Sequence, residues 1–179
     1  MKIVGLWRHA KSDWGEGAVR DFDRRLNERG CRGAKVMGEH VRDHGIAWDR
    51  VVASPATRVC ATLQEGLPEL DVSYDQKLYL ASADTIMEVI EAHAGEGDGE
   101  VRSVLVSGHN PGLLETILEL VAPARENDLF REAVVKFPTG AFAVLECDIE
   151  SWDQLKPRCA KLVHFARPRD FDPELGPEG

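Results

Sequence analysis

The sequence lacks any uninterrupted apolar run of about 18 residues, the length with which a helix crosses a membrane. Its first residues form only a short apolar stretch, without the basic region, long hydrophobic segment and cleavage site of a secretory signal. Basic residues are also few, since 22 Lys and Arg stand against 31 Asp and Glu, for a formal net charge of −9. General nucleic-acid binding is disfavoured because it needs a basic face. We therefore expect a soluble cytoplasmic protein with neither a membrane nor a nucleic-acid partner.

Cysteine is scarce and scattered along the chain. Cys31, Cys60, Cys147 and Cys159 form no Cys-x-x-Cys pair, which argues against a zinc ribbon or a disulfide framework. Each lies within a helical or strand-like run, as small buried apolar side chains do. The sequence therefore indicates a reducing compartment.

The histidines outside the motifs described below offer no clear metal site. His40 and His44 are one helical turn apart and could hold a metal, but they lie near a predicted helix end with no third ligand in view. Helix capping or solvation is the simpler interpretation of that pair. His164, within the last predicted strand, is interpreted as a packing or edge residue. We predict no metal and no cofactor.

The chain is 179 residues long, enough for one domain with a substantial core. We predict a single domain over residues 1–166, because no internal repeat and no second domain are visible. Residues 167–179 are rich in Pro, Asp, Glu and Gly, and are expected to form a loosely ordered tail.

Strand-like and helix-like runs alternate as far as residue 121. Strands are predicted at 2–7, 48–53, 71–74 and 101–107, with helices at 28–44, after the 54–58 turn, from 82 or 84, and at 113–121. This alternation is typical of parallel strands joined by right-handed crossovers. Two further strands, 139–147 and 158–165, indicate an antiparallel hairpin at one edge. The predicted fold class is α/β, a three-layer α/β/α sandwich with a mostly parallel central sheet.

Three of the predicted strands end in residues suited to phosphate chemistry. The first runs into Arg8 and His9, the second into a turn that carries Arg58, and the fourth into His109. Since the carboxyl ends of parallel strands lie along one edge of a sheet, these side chains should converge. An arginine holds phosphate oxygens with its planar donor fork, and a neutral histidine can attack phosphorus. The sequence therefore predicts a local positive pocket for phosphate on an acidic protein.

Three motifs carry a resemblance to a known family: Leu6-Trp7-Arg8-His9-Ala10, Ser54-Pro55-Ala56-Thr57-Arg58 and Ser107-Gly108-His109-Asn110-Pro111-Gly112. In this order, each after a strand, they resemble the motifs of the histidine phosphatase superfamily, the relatives of phosphoglycerate mutase. Within it the chain is most similar to the small SixA-type phosphohistidine phosphatases. The likeness also includes residues 11–14, 25–30 and 78–79, and so covers roughly residues 1–165. It implies a phosphoglycerate mutase-like fold.

The resemblance implies a metal-independent phosphatase with a role for each matched residue. His9 is the expected nucleophile and would carry a covalent phosphoryl group. Arg8 and Arg58 would hold the phosphoryl oxygens, and His109 would donate a further hydrogen bond to them. Ser12 is a further candidate for binding the substrate.

The two histidines of the site are expected to differ in charge. The attacking nitrogen of His9 should be unprotonated, with the other ring nitrogen donating to a nearby backbone carbonyl. His109 should act as an imidazolium, because a bound phosphate dianion raises its pKa. One neutral and one charged histidine predict a bell-shaped pH profile.

The chain departs from the family pattern at two places. Ala10 replaces the usual glycine, which is a small change. Residues 78–82 contain no carboxylate, whereas larger members carry a catalytic one there. Losing a general acid costs about 10²–10⁴ in rate, so we expect poor activity on phosphoserine and a preference for phosphohistidine, whose leaving group is an imidazole. Asp21 or Asp23 could replace the acid, although a solvated loop carboxylate is the more common role.

The expected partner is therefore a phosphohistidine-bearing protein, such as a phosphocarrier or phosphotransfer domain, at an open site without a long lid. A basic cluster near the site loop fits either an acidic partner or a plain charged helix face. Its members are Arg20, Arg24, Arg25, Arg29, Arg32 and Lys35. Two alternatives stay open: a small-molecule phosphomonoesterase of the same superfamily, and a phosphate-binding module without turnover.

Overall fold

The computed structural model of the protein describes residues 1–14, 19–97 and 99–176. Parts of the predicted site loop (15–18), of the connector before the fourth strand (98) and of the tail (177–179) lie outside the described residues. Within these ranges the strands form one six-stranded sheet in the order β3-β2-β4-β1-β5-β6. The strands are β1 (Lys2–Arg8), β2 (Arg50–Ala53), β3 (Ser73–Tyr74), β4 (Ser103–Gly108), β5 (Phe142–Cys147) and β6 (Ala160–Ala166).

Helices cover both faces of this sheet and complete the predicted three-layer arrangement. They are α1 (Glu28–Asp43), α2 (Thr57–Gly66), α3 (Ala83–Ala94), α4 (Gly112–Leu120), α5 (Asp128–Val135) and α6 (Pro168–Phe171). Buried side chains of α1 and α2 pack on one face, and those of α3, α4 and α5 pack on the other. None of the helices within the described ranges is both long and apolar enough to cross a bilayer. No helix is predicted from the sequence at α5, which begins within the charged residues 124–131.

The sheet is mixed in the way the sequence predicts. β1, β2, β3 and β4 pair in parallel, whereas β5 is antiparallel to β1 and β6 is antiparallel to β5. Strand β1 is buried at the centre, and its apolar side chains alternate between the two cores: Leu6 packs with one and Trp7 with the other. The last predicted strand pair is therefore confirmed as an antiparallel edge.

The register of the central strands brings their carboxyl ends to one level. Arg8 is paired with Gly108 between β1 and β4, and Ala53 is paired with Ser107 between β2 and β4. The residues that follow these positions consequently meet at one edge of the sheet.

Helix α1 shows why a glycine-rich sequence can be helical here. Asn27 caps it as predicted, since the Asn27 side chain accepts a hydrogen bond of 2.7 Å from the Gly30 amide. A Cβ atom on Gly30 would lie 1.9 Å from the carbonyl oxygen of Lys11, and one on Gly38 would lie 2.1 Å from that of Gly66. These glycines lower helix propensity, but they permit close packing on the site loop and on α2.

Part of the predicted tail packs against the domain. Residues 168–171 form the short helix α6, whose Pro168 is buried. Arg32 of α1 forms ion pairs with Asp172 and Glu174, and Arg29 donates to the carbonyl oxygen of Gly176. These contacts hold the polar segment against α1, and composition alone could not reveal them.

The glycine packing in α1 gives a prediction within one helix. Gly38→Ala should destabilise the protein by about 1–3 kcal/mol, because the new methyl group meets the backbone of α2. Gly33→Ala should be neutral or stabilising by up to about 1 kcal/mol, since its Cβ would contact nothing closer than Pro168 at 3.9 Å. Urea unfolding of both variants measures the difference, and equal effects at the two positions would contradict this account of the packing.

Candidate active site

His9 follows β1 and has a single ring nitrogen available for attack. Its Nδ1 lies 2.7 Å from the carbonyl oxygen of Ala10, and a carbonyl can only accept, so Nδ1 carries the proton. The lone pair is therefore on Nε2. Burial, the main cause, and the neighbouring positive charges of Arg8 and Arg58 lower the pKa of His9 well below its usual range, although the bond to Ala10 raises it. The imidazole is therefore neutral, and the nearby backbone carbonyl that the sequence analysis expected beside His9 is that of Ala10.

Arg58, in the first turn of α2, lies between the two histidines of the site. Its side chain is 2% exposed, and its Nε donates toward His9 Nε2 at 3.4 Å. Its Nη2 lies 3.2 Å from His109 Nδ1 and 3.1 Å from a carboxylate oxygen of Asp21. Its Nη1 donates to the Asp21 carbonyl oxygen at 2.7 Å. One guanidinium thus fixes the relative positions of both imidazoles.

His109 is neutral in this arrangement, whereas the imidazolium predicted from the sequence is that of the site with phosphate bound and stays a prediction. Because the guanidinium of Arg58 can only donate, His109 Nδ1 accepts, and Nε2 carries the proton toward Ser54 Oγ at 2.8 Å. Burial, followed by the charge of Arg58, lowers the pKa of His109 to about 3. The buried cation beside this ring opposes the rise in its pKa that a bound phosphate dianion would cause.

Asp21 lies in a short turn over the strand ends and accepts hydrogen bonds from three directions. Its donors are Arg58, Arg24 and Tyr79. Burial raises the pKa of Asp21, but the hydrogen bond from Tyr79 and the charge and hydrogen bonds of the two arginines outweigh it and lower that pKa to about 2. Asp21 is thus an ionised acceptor. Asp23 instead pairs with Arg20 at 3.0 Å, at an exposed position.

Arg24 is a residue of the site that the motif analysis did not single out. It is 8% exposed, and its Nη1 donates to Ser12 Oγ at 2.7 Å while its Nε bonds Asp21 at 3.0 Å. Its guanidinium also lies 4.1 Å from the centre of the Trp14 ring. The sequence placed Arg24 within a basic cluster, but nothing in its spacing indicated that this one member turns inward.

Arg8 enters the site from the end of β1. Its Nη1 donates to the Phe137 carbonyl oxygen at 3.0 Å, whereas its buried Nε has no hydrogen-bond partner among the described residues. Burial, and then the charge of Arg58, lowers the pKa of Arg8 to about 10, so the group stays charged at neutral pH. A buried N–H of a charged group is a donor suited to an anion.

The predicted residues all line one half-open cavity of about 320 Å³. Its lining comprises Arg8, His9, Lys11, Ser12, Trp14, Asp21, Arg24, Arg58, Leu80, His109, Asn110 and Thr139. Four of these residues are Lys or Arg, while Asp21 is the sole carboxylate of the described lining. A local positive pocket on an acidic chain is thus present, at the sheet edge where the strand ends meet.

Comparison with known proteins assigns the chain to a family. The model of the histidine phosphatase superfamily (branch 1) matches residues 4–81. An uncharacterised protein of Mycobacterium leprae is 35% identical over 165 residues, which cover 90% of this chain and 99% of that protein.

Two solved structures are similar over nearly the whole chain. A candidate phosphohistidine phosphatase SixA from Nakamurella multipartitia is 32% identical with a TM-score of 0.78, and covers 93% of this chain and 96% of its own. Its counterpart from Agrobacterium tumefaciens is 31% identical with a TM-score of 0.72, and covers 93% of this chain and 99% of its own. This chain therefore belongs to the histidine phosphatase superfamily, and within it to the SixA-type proteins.

Proposed function

We propose that this phosphatase removes phosphate from phosphohistidine on a protein partner in the cytoplasm, through a phosphoryl group carried on His9 Nε2. The observation that carries the proposal is the bond from His9 Nδ1 to the Ala10 carbonyl, which leaves the Nε2 lone pair in a cavity of cations. The name phosphohistidine phosphatase given to the solved relatives supports the same substrate class.

The reaction proceeds by two transfers at phosphorus. His9 Nε2 forms a bond to phosphorus as the bond from phosphorus to the substrate imidazole breaks, and the departing nitrogen keeps the electron pair and takes a proton from solvent. Water then forms a new bond to phosphorus and releases one proton to solvent, the P–Nε2 bond breaks, and the electron pair returns to Nε2. Inorganic phosphate and neutral His9 result.

Guanidinium groups supply the charge that phosphoryl transfer needs. The transition state spreads negative charge over three equatorial oxygens, and fixed donors in a partly dry pocket stabilise it. Arg58 is held by Asp21, and Arg8 offers its buried Nε–H. In this proposal no metal takes part in the transfer, because the arginines meet the phosphoryl oxygens themselves.

The state of Asp21 supports phosphohistidine over phosphoserine as the substrate. An alkoxide leaving group needs a proton from a general acid, and an ionised carboxylate with a pKa of about 2 holds none at neutral pH. An imidazole leaving group depends much less on a general acid, since transfer to His9 exchanges one P–N bond for another. The cavity lining therefore suits a phosphoramidate better than an alkyl phosphate.

A second cavity, of about 260 Å³, supports an acidic protein surface as the partner. It shares Arg8 and Lys11 with the first cavity, and its basic lining residues are Arg8, Lys11, Arg29, Lys136, Arg167 and Arg169. A cluster of cations beside the reaction centre attracts acidic groups that flank the phosphorylated residue.

Replacing the nucleophile tests the reaction directly. His9→Ala should lower single-turnover phosphate release from a phosphohistidine protein by roughly 10⁴-fold or more, as loss of a nucleophile does elsewhere. Wild type should clear phosphohistidine faster than a phosphoserine peptide or a sugar phosphate. His93→Ala is the matched control, because His93 bonds Asp75 at 2.9 Å and does not line the cavity. Full activity in His9→Ala, or a sugar phosphate as the better substrate, would refute the proposal.

Asp21→Asn separates a positioning role from that of a general acid. Loss of the charge that holds Arg58 and Arg24 should lower kcat/KM roughly tenfold on phosphohistidine and phosphoserine alike, as losing a hydrogen bond of about 1.5 kcal/mol does. Asp23→Asn, two residues away, should change neither. A selective loss of about 10²–10⁴ on phosphoserine would instead identify Asp21 as the acid.

The pH dependence follows from the lowered pKa of His9. Protonation of Nε2 abolishes the nucleophile, and because its pKa lies well below the usual range, kcat/KM should hold constant as pH falls through about 6.5 and decline only at lower pH. Rates are corrected with His9→Ala for spontaneous hydrolysis of phosphohistidine in acid. An acidic limb with its midpoint at or above pH 6.5 would contradict a neutral, buried His9.

A further inference from the structure

Three histidines meet on the face of the sheet covered by α1, outside the cavity described above. His40 and His44 lie in the last turn and at the end of α1, and His164 lies in β6. The Nε2 atoms of His40 and His164 are 2.7 Å apart, and the rings of His44 and His164 stack with centroids 4.3 Å apart. One nitrogen of each ring lies within 4.8 Å of the others. The sequence could not show this third ligand, because it is 120 residues distant from His44 and reaches α1 only through the antiparallel edge.

We propose that His40, His44 and His164 form a binding site for a divalent transition-metal ion of the zinc type. Tetrahedral Zn²⁺ binds histidine nitrogens at about 2.0–2.1 Å, which puts two ligand nitrogens about 3.4 Å apart. The observed separations, from 2.7 Å up to 4.8 Å, bracket that value. The three nitrogens are therefore close to the spacing that one tetrahedral ion needs.

The chemistry of the cluster also fits a cation. Two Nε2 atoms at 2.7 Å cannot both carry a proton, so at least one ring presents a lone pair toward its neighbour. The carboxylates of Asp43 and Asp170 act on His40 with their negative charge. Imidazole is a preferred ligand of Zn²⁺, Cu²⁺ and Ni²⁺, and three imidazoles on a borderline ion are a common protein set.

Aromatic side chains orient the three rings. Phe171 of α6 packs on His40 with ring centroids 4.3 Å apart, and Phe142 meets His40 and His44 edge to face. The three histidines are half-buried, so solvent can reach the fourth coordination position. A bound ion would link the end of α1 to the edge strand β6, beneath the segment that contains α6.

The test is a Zn²⁺ titration of the full chain after removal of metal with a chelator. Calorimetry should give one ion per chain, with a rise in Tm on binding, and Co²⁺ should produce the intense visible absorption of a four-coordinate site. His164→Gln and His44→Gln should each weaken Zn²⁺ binding by at least roughly 10–100-fold, which is the loss caused by removing even a group that supports a ligand. Unfolding curves without metal verify that both variants are folded. Because His44 and His164 lie on different elements, one folded variant is enough for the test.

Two further variants test whether Zn²⁺ binds at a histidine outside the proposed site. His93→Gln removes a half-buried histidine elsewhere, and His9→Ala removes the cavity nucleophile, so both should bind Zn²⁺ as wild type does. The proposal is overturned if wild type binds no Zn²⁺, if His164→Gln binds it unchanged, or if His9→Ala abolishes binding. The last result would put the ion in the catalytic cavity.

Discussion

The buried guanidinium of Arg58 is the group on which the geometry of the site depends. It contacts His9, His109 and Asp21, and it is almost wholly buried in the protein. A buried cation must be paired, and Asp21 supplies the partner from a turn that closes over the strand ends. Burial, and then this charge, keeps His109 neutral, while the hydrogen bond from Tyr79 and this charge keep Asp21 ionised.

The same contacts explain why Asp21, the one carboxylate of the described cavity lining, is not an acid at neutral pH. Asp21 carries a negative charge in order to hold Arg58 and Arg24, so it serves their positions and cannot deliver a proton at neutral pH. The guanidinium groups that these contacts hold in place present their positive charge to the cavity. Such a site favours substrates whose leaving group departs without help, which is the physical basis for proposing phosphohistidine.

Much of the fold was predictable because hydrophobic periodicity and strand-end motifs report on it directly. The runs before Arg8, Arg58 and His109 fixed three parallel strands, and their common edge followed from the topology. Helix α5 was missed because it is only eight residues long and begins in a charged segment. The ion pairs of Asp172 and Glu174 with Arg32 were not predicted, because composition does not encode them.

The supporting groups of the site were less predictable than its motif residues. Arg24 and Tyr79 reach Asp21 from different parts of the chain, and only the folded turn brings them together. His164 likewise met His40 only through the pairing of β5 and β6. Sequence motifs identify groups placed by strand ends, whereas contacts between loops or between a helix and an edge strand depend on tertiary packing.

The central claim is that the Ala10 carbonyl fixes the His9 tautomer and so selects Nε2 as the nucleophile. The most direct test is to trap the phosphoenzyme by rapid alkaline quench, under which phosphohistidine survives, and to locate the phosphoryl group by mass spectrometry and ³¹P NMR. The account predicts phosphate on Nε2 of His9. Phosphate on Nδ1 of His9, on another residue, or on no residue during rapid turnover would contradict it.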